Sequence, residues 1–185
     1  MPTIRELTPV TKLASIRTNI FKNTIAIFLS ELLAKSIRES EANLQLFDFL
    51  CSSINILEHL NGGEANFHIH FIVHLSKMLG FMPKDNYSLE MPLFNISTAK
   101  FCEGERFFDG KYCVVRTTDS LGCFSETESA LLHTLLNTRA IDTGKIRCTG
   151  ELRLSFAKQM IRYLSHHLGM NLEIKSLDVL HEVFC

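Results

Sequence analysis

The sequence predicts a mainly α domain, a helical bundle carrying a small loop-rich insert with a β-hairpin. Three observations carry that reading. Apolar residues recur every three or four positions through residues 15–83 and again through 126–185, the spacing that gives a helix one apolar face. Asparagine, serine and glycine stand at the ends of these stretches, where helices start and stop. Between them, residues 84–125 lose the periodicity and carry glycines at 104, 110 and 122. Of the 185 residues, 46% are hydrophobic and 21% are charged, the balance of a folded chain.

Residues 1–14 hold two prolines and no sustained period, and read as an extended lead-in. In "SIRTNIFKNTIAIFLSELLAKSIRESE", Phe21, Ile25, Phe28, Leu32 and Ile37 form an apolar stripe, with Lys22, Ser30, Lys35 and Arg38 off it. Asn43 is placed to cap "LQLFDFLCSSINILEHL", where Leu46, Leu50, Ile54 and Leu57 share a face and Cys51 reads as a small buried hydrophobe. Asn61-Gly62-Gly63 ends that helix. "NFHIHFIVHLSKMLGF", residues 66–81, is the third, closed by Gly80 and Pro83.

In the insert, "RFFDGKYCVVRTT" suggests a hairpin turning at Asp109-Gly110. Helicity resumes at Ser125, with Glu128 three positions on as in a capping box. "ELRLSFAKQMIRYLSHHL" is the next helix, with Leu152, Phe156, Met160 and Leu164 on one side and Gly169 at its end. "SLDVLHEVF" makes a short last one.

A formal net charge of −1 argues against binding nucleic acid by bulk charge, so any such contact needs a local basic patch. No apolar run reaches the ~20 residues that span a bilayer. The start lacks the layout of a secretory signal, and the six cysteines include no CxxC pair. A cytoplasmic chain with reduced thiols is expected.

Few residues offer chemistry. His70 and His74, four apart, project from one helix face and could share a metal, but the glutamate of an HExxH motif is absent. His68 lies roughly 160° around the helix from His70. His166 and His167 diverge from one another. Cys102, Cys113 and Cys123 fall in the insert without compact ligand pairs, so no metal or cofactor is expected. There is no G-x-S-x-G and no phosphate-binding glycine loop. Glu126 and Glu128 suit a helix N-terminus better than acid–base work. The chain does not read as an enzyme. What remains is a stripe of His70, His74 and Lys77 at i, i+4 and i+7, capable of positive charge and bordered by Phe67, Phe71, Leu75 and Met78 on one flank and Ile72, Leu79 and Phe81 on the other. Such a surface suits an acidic peptide with a hydrophobic end. The plainer reading makes these histidines the solvated edge of a core helix.

Three strings, "NIFKNTIAIFLSELLAKSIRESEANLQLFDFL", "ANFHIHFIVHLSKMLGFMP" and "LEIKSLDVLHEVF", together resemble the C-terminal helical region of RecO, a bacterial recombination mediator, in its Bacteroidetes-type members. The resemblance implies a protein without turnover that works with RecR, single-stranded DNA and the single-strand binding protein SSB, whose acidic tail ends in Pro-Phe. It implies a tail-binding groove at His70, Lys77, Leu79 and Phe81, with Arg162 contributing. It also implies a preceding OB-fold, a β-barrel of about eighty residues that tracks single strands. Residues 1–14 then read as the linker after that barrel, 15–83 and 126–185 as two parts of one helical domain, and 84–125 as the insert. Many relatives carry a four-cysteine zinc site in the insert; the paired cysteines are lacking here, so zinc is not carried over. Lys175-Ser176 is family-like, with Ser176 expected to cap the last helix. The competing expectation is a helical scaffold that self-associates as a homodimer, without a DNA role.

Overall fold

The computed structural model describes residues 12–37, 42–106, 112–113 and 121–184. The described residues form seven α-helices and two short antiparallel hairpins, in line with the expected fold class. The first expected helix is broken in two, α1 (Ala14–Thr18) and α2 (Ile20–Ser36). Asn19 between them is extended, and its side-chain oxygen accepts from the Phe21 and Lys22 N–H groups at 2.9 and 3.1 Å. An asparagine in that conformation restarts a helix rather than continuing one. Helix α3 (Leu44–His59) begins on the expected Asn43 cap, at 3.0 Å from the Leu46 N–H.

A 3-10 turn, Glu64–Asn66, leads into α4 (Phe67–Met78), and nine of the twelve residues of α4 are buried. Helix α5 (Glu126–Leu136) starts on the expected Ser125–Glu128 capping box. Helix α6 (Gly150–Leu168) starts at Thr149 and ends at Gly169, whose φ of +64° suits a residue without a Cβ. Helix α7 (Ser176–Val183) follows. Helices α2, α3, α5 and α6 all pack against α4, so one core surrounds it, with Phe28, Leu32, Ile69, Ile72, Val73, Phe156 and Met160 at its centre. Among the described residues no helix is long and apolar enough to cross a membrane.

The insert is anchored in that core. Strands β1 (Leu93–Asn95) and β2 (Lys100–Cys102) pair antiparallel with Phe94 opposite Phe101. All three β1 residues are buried, so no alternation of period two announces the strand in the sequence. Phe94 meets Phe101, Phe124 and Tyr163 edge-on at 5.3, 5.1 and 5.6 Å. Strands β3 (Glu105–Arg106) and β4 (Tyr112–Cys113) also pair. The expected Asp109-Gly110 turn, Phe107, Phe108 and residues 1–11 of the lead-in lie outside the described residues.

Several side chains lie opposite to expectation. Phe21, Cys51 and Ile54 are exposed, while Lys22 is 2% exposed. Helix α3 turns Leu46, Ser53 and Leu57 inward, which leaves Cys51 and Ile54 on its other side. Lys22 is held by the ends of two helices: Nζ donates to Ser15 Oγ and to the Glu58 carbonyl, both at 2.8 Å. The Glu58 carboxylate accepts from the Ser15 and Ile16 N–H groups at 2.7 and 2.8 Å. Burial disfavours the Glu58 charge, but those N–H groups and the Lys22 charge outweigh it and hold the carboxyl below the usual range. Glu58 near the end of α3 therefore caps the start of α1, and Lys22 of α2 meets the carbonyl at the end of α3.

Glu31 does the same for α7. Ser176 is not the N-cap expected of it; it is the first residue of α7, and no side chain of Lys175 caps the helix. The Glu31 carboxylate accepts from the Lys175 N–H at 3.1 Å, and from the Ser176 N–H and hydroxyl at 2.8 and 2.5 Å. Lys35 Nζ lies 2.6 Å away. Burial pushes the Glu31 carboxyl up, but these donors win and hold it down, to about 2.

Because the folded Glu31 carboxyl lies below its unfolded value of 4.5, its contribution is present above that pH and is lost as pH falls toward 2. Glu31→Gln lowers stability by about 1 kcal/mol at pH 7, a figure discounted for solvent screening, and urea titrations at pH 7 and pH 3 show the gap from wild type narrowing. An unchanged gap contradicts the cross-helix cap. Gly63 has φ +76°, and a Cβ there sits 2.4 Å from the Gly144 Cα. Gly63→Ala costs about 1–3 kcal/mol through that conformation and the clash, and an unaltered urea midpoint contradicts it.

Candidate partner-binding groove

Helix α5 presents Thr127, Ala130, Leu131 and Thr134 on one side, and Thr138 follows just past its end. Opposite them runs a second 3-10 turn, Ala140–Lys145, continuing through Ile146 and Arg147 to the start of α6 at Leu152. Together they enclose an open groove of about 900 Å³. Its floor is apolar, from Ala130, Leu131, Ile146 and Leu152, and threonine hydroxyls line one wall.

The rim carries charge. Arg139 Nε and Lys145 Nζ each lie 2.7 Å from the Asp142 carboxylate, and Arg147 is exposed. Hydrogen bonds from Lys145 and Arg139 hold the Asp142 carboxyl below its usual range. Three cations face one carboxylate, so the rim is net positive although the chain is not.

Buried polar side chains fix this turn in place. Asn66 is 5% exposed, and its Nδ2 donates to the Thr143 and Ile146 carbonyls at 3.1 and 2.9 Å. Its oxygen accepts from Arg153 Nε at 3.0 Å, and Arg153 also donates to the Cys148 carbonyl. A carboxamide that makes all of these bonds leaves the turn one position to occupy.

The histidines of α4 hold the other wall. His70 is buried, and its Nε2 donates to the Thr138 carbonyl at 2.8 Å; His74 Nε2 reaches the Leu135 carbonyl at 3.3 Å. The Leu135 carbonyl lies in the last turn of α5, and the Thr138 carbonyl two residues beyond its end. The two rings lie 4.1 Å apart. Burial pushes His70 down, His74 adds to it and the Thr138 carbonyl opposes it, leaving the ring at about 4. Burial likewise lowers His74. The expected stripe therefore does not carry charge through these two residues. His70 is buried and His74 half-buried, both turned toward α5, so neither stands as a freely solvated edge.

The other expected site residues lie elsewhere. Lys77 is exposed at the end of α4, and Arg162 is exposed on α6. Leu79 and Phe81 are half-buried around Gly80, where φ is +92°. Phe81 stacks on His167 at 5.5 Å, and its carbonyl accepts the Tyr163 hydroxyl. The Leu79-Gly80-Phe81 turn is thus fixed to α6, which gives it a structural duty. His68 is 2% exposed and meets Phe28 edge-on at 5.6 Å. Cys102 and Cys123 bring their sulfurs to 3.7 Å, while the Cys113 side chain lies outside the described residues. Among the described residues no group of three or more His, Cys, Asp or Glu is placed to hold a metal, and two thiols fall short of a four-ligand zinc site.

The family model described as "Recombination protein O C terminal" matches residues 17–178. The chain belongs to that family. Among curated relatives, the DNA repair protein RecO of Flavobacterium johnsoniae is 32% identical over 180 residues, 97% of this chain and 69% of that protein. The one from Flavobacterium psychrophilum is 31% identical over the same span and shares. A DNA repair protein RecO of Porphyromonas gingivalis is 41% identical over 68 residues, 37% of this chain and 28% of that protein. No solved structure matches. The family match spans α2 to the start of α7, so the groove and its supporting Asn66 and His70 fall within it.

The His70 ring stays neutral, with the proton on Nε2, until the pH approaches about 4. An unfolded histidine takes a proton near 6.5, so stability falls as pH drops through the interval between the two values. Imidazole NMR of selectively labelled protein reads this directly. A His70 titration near 6.5 contradicts the buried bond to Thr138.

Proposed function

We propose that this chain is the helical, partner-binding portion of a RecO-type mediator of DNA repair and recombination, acting in the cytoplasm through protein contacts and without catalytic turnover. Family membership supports the repair role, and the relatives carry the name DNA repair protein RecO. The observation that carries the partner reading is the groove of α5, the Ala140–Lys145 turn and α6, with its basic rim over an apolar floor. That pairing of features fits an acidic peptide ending in an aromatic residue, which is the chemistry of the SSB tail. Arg139, Lys145 and Arg147 meet its carboxylates, and Leu131, Ile146 and Leu152 receive its terminal ring. RecR is the second partner in this reading, and single-stranded DNA is a secondary contact for a chain of net charge −1.

Anisotropy of a labelled SSB C-terminal peptide, titrated with this chain, tests the proposal. Saturable binding that needs the terminal phenylalanine is expected. The double variant Arg139→Glu/Arg147→Glu weakens it by about tenfold or more, whereas Lys77→Glu and Arg162→Glu leave it within about twofold. Loss of binding in Lys77→Glu with the groove variant unaffected moves the seat to the α4 end. No binding at accessible concentrations sinks the adaptor reading.

A further inference from the structure

Helices α3 and α4 leave a recess of about 170 Å³ between them. Its wall is mainly apolar, from Phe49 and Ile56 of α3 and from Phe67 and Phe71 of α4. The Phe49 and Phe71 rings stack at 5.1 Å. A protein cavity of about 150 Å³ is enough to take up a benzene ring, so this recess has room for one ring with a small substituent. Ser52 on its rim is exposed, which leaves the recess open to solvent.

Polar side chains interrupt that wall. Ser53 lines the recess at 7% exposure, and among the described residues its hydroxyl has no hydrogen-bond partner. A helical serine can bond back to the carbonyl four residues earlier, as Ser30 does to Ala26; Ser53 does not. Its hydroxyl therefore keeps its proton and its lone pairs for a ligand. His70 and His74 line the recess beside it. Their Nε2 atoms are engaged by the Thr138 and Leu135 carbonyls at 2.8 and 3.3 Å. A neutral imidazole carries one proton, so Nδ1 of each ring is bare and can only accept. Burial, which lowers both rings, keeps them in that neutral form at pH 7.

We propose that this recess is a binding site for a small phenol, its ring among the phenylalanines and its hydroxyl between Ser53 and the imidazoles. The donor set selects the chemistry. A bare Nδ1 needs a proton donor and Ser53 has a proton to give, so one hydroxyl, which donates and accepts, meets both. A ketone or an ether brings no proton for the imidazole. A carboxylate would lose its hydration without meeting a cation, and an ammonium without meeting an anion. The stacked Phe49 and Phe71 favour an aromatic body over an alkyl chain. His70 links the recess to the groove, because its Nε2 holds the Thr138 carbonyl at the groove wall. A hydrogen bond accepted at Nδ1 polarises the ring and strengthens the one given at Nε2. The recess does not depend on the groove taking a peptide, so the two readings stand or fall separately.

NMR of the labelled chain titrated with phenol, and in parallel with toluene, tests the proposal. Phenol gives saturating amide shifts within residues 49–56 and 67–74, with a dissociation constant of about 1 mM or tighter, a range open to so small a ligand. The His70 Nδ1 resonance moves with phenol and stays in place with toluene, which has the same shape and no hydroxyl. Toluene binds about fivefold more weakly, the difference of one hydrogen bond. Ser53→Ala, which suits a helix, brings phenol down toward toluene and leaves toluene as it was. No saturating change at up to about 10 mM phenol, tenfold above that constant, is the behaviour of a recess that holds water only, and it overturns the proposal. Toluene binding as tightly as phenol, or phenol binding unaltered by Ser53→Ala, overturns the hydroxyl contacts that define the ligand. Shifts confined to Leu44 and Phe47 on the exposed side of α3 overturn the site.

Discussion

Helix α4 is buried on almost every side, and that constraint decides where the other elements go. A helix with nine of twelve residues inside has little solvated face on which to leave polar groups, and Lys77 alone of its residues is exposed. Three of its polar side chains, His70, His74 and Ser76, are met by backbone carbonyls. His70 takes the Thr138 carbonyl just beyond α5 and His74 the Leu135 carbonyl in its last turn, Ser76 bonds back to the Val73 carbonyl, and Asn66 just before the helix takes the Thr143 and Ile146 carbonyls. The same bonds that satisfy α4 fix α5 and the Ala140–Lys145 turn relative to one another. The groove is the space left between those two elements, so its shape is a by-product of how α4 was buried.

Carboxylates tie the periphery to this centre over long sequence distances. Glu58 holds the start of α1, and Glu31 holds the start of α7, each from a helix that is not adjacent in the chain at the point of contact. These bonds concern helix ends, where backbone groups have no partners within the helix and a charged acceptor is worth more than a neutral one. Lys22 completes the first of them from inside the bundle. The result is a core whose polar bonds serve the alignment of its elements.

The parts of this arrangement that were legible in the sequence are those governed by local rules. Asn43, Ser125 with Glu128, and Gly169 each mark a helix end by a preference that acts within four residues, and each stands where expected. Periodicity located the helices but did not decide which of two apolar faces is buried. On α3 the choice fell on Leu46 and Leu57, against Ile54 and Cys51, because α4 lies on that side. Lys22 was misread because its long stem is compatible with burial once two helix ends accept its protons. The groove itself was missed: Arg139, Lys145 and Arg147 are unremarkable in the sequence, and only their placement opposite α5 by Asn66 makes them converge. The hairpin of β1 and β2 was missed because both faces of β1 are covered, which removes the alternation that would have shown it.

Helix α4 serves as scaffold, and the proposed partner contact lies on the surface beyond its histidines. Backbone amide NMR of the labelled chain during titration with an acidic, Pro-Phe-ending peptide tests that division most directly. The account predicts saturating shift changes concentrated from Thr127 to Thr138 and from Arg139 to Leu152, with the Leu79-Gly80-Phe81 turn and Arg162 unmoved. Changes centred on Lys77 to Phe81 and Arg162, with the groove silent, would contradict it.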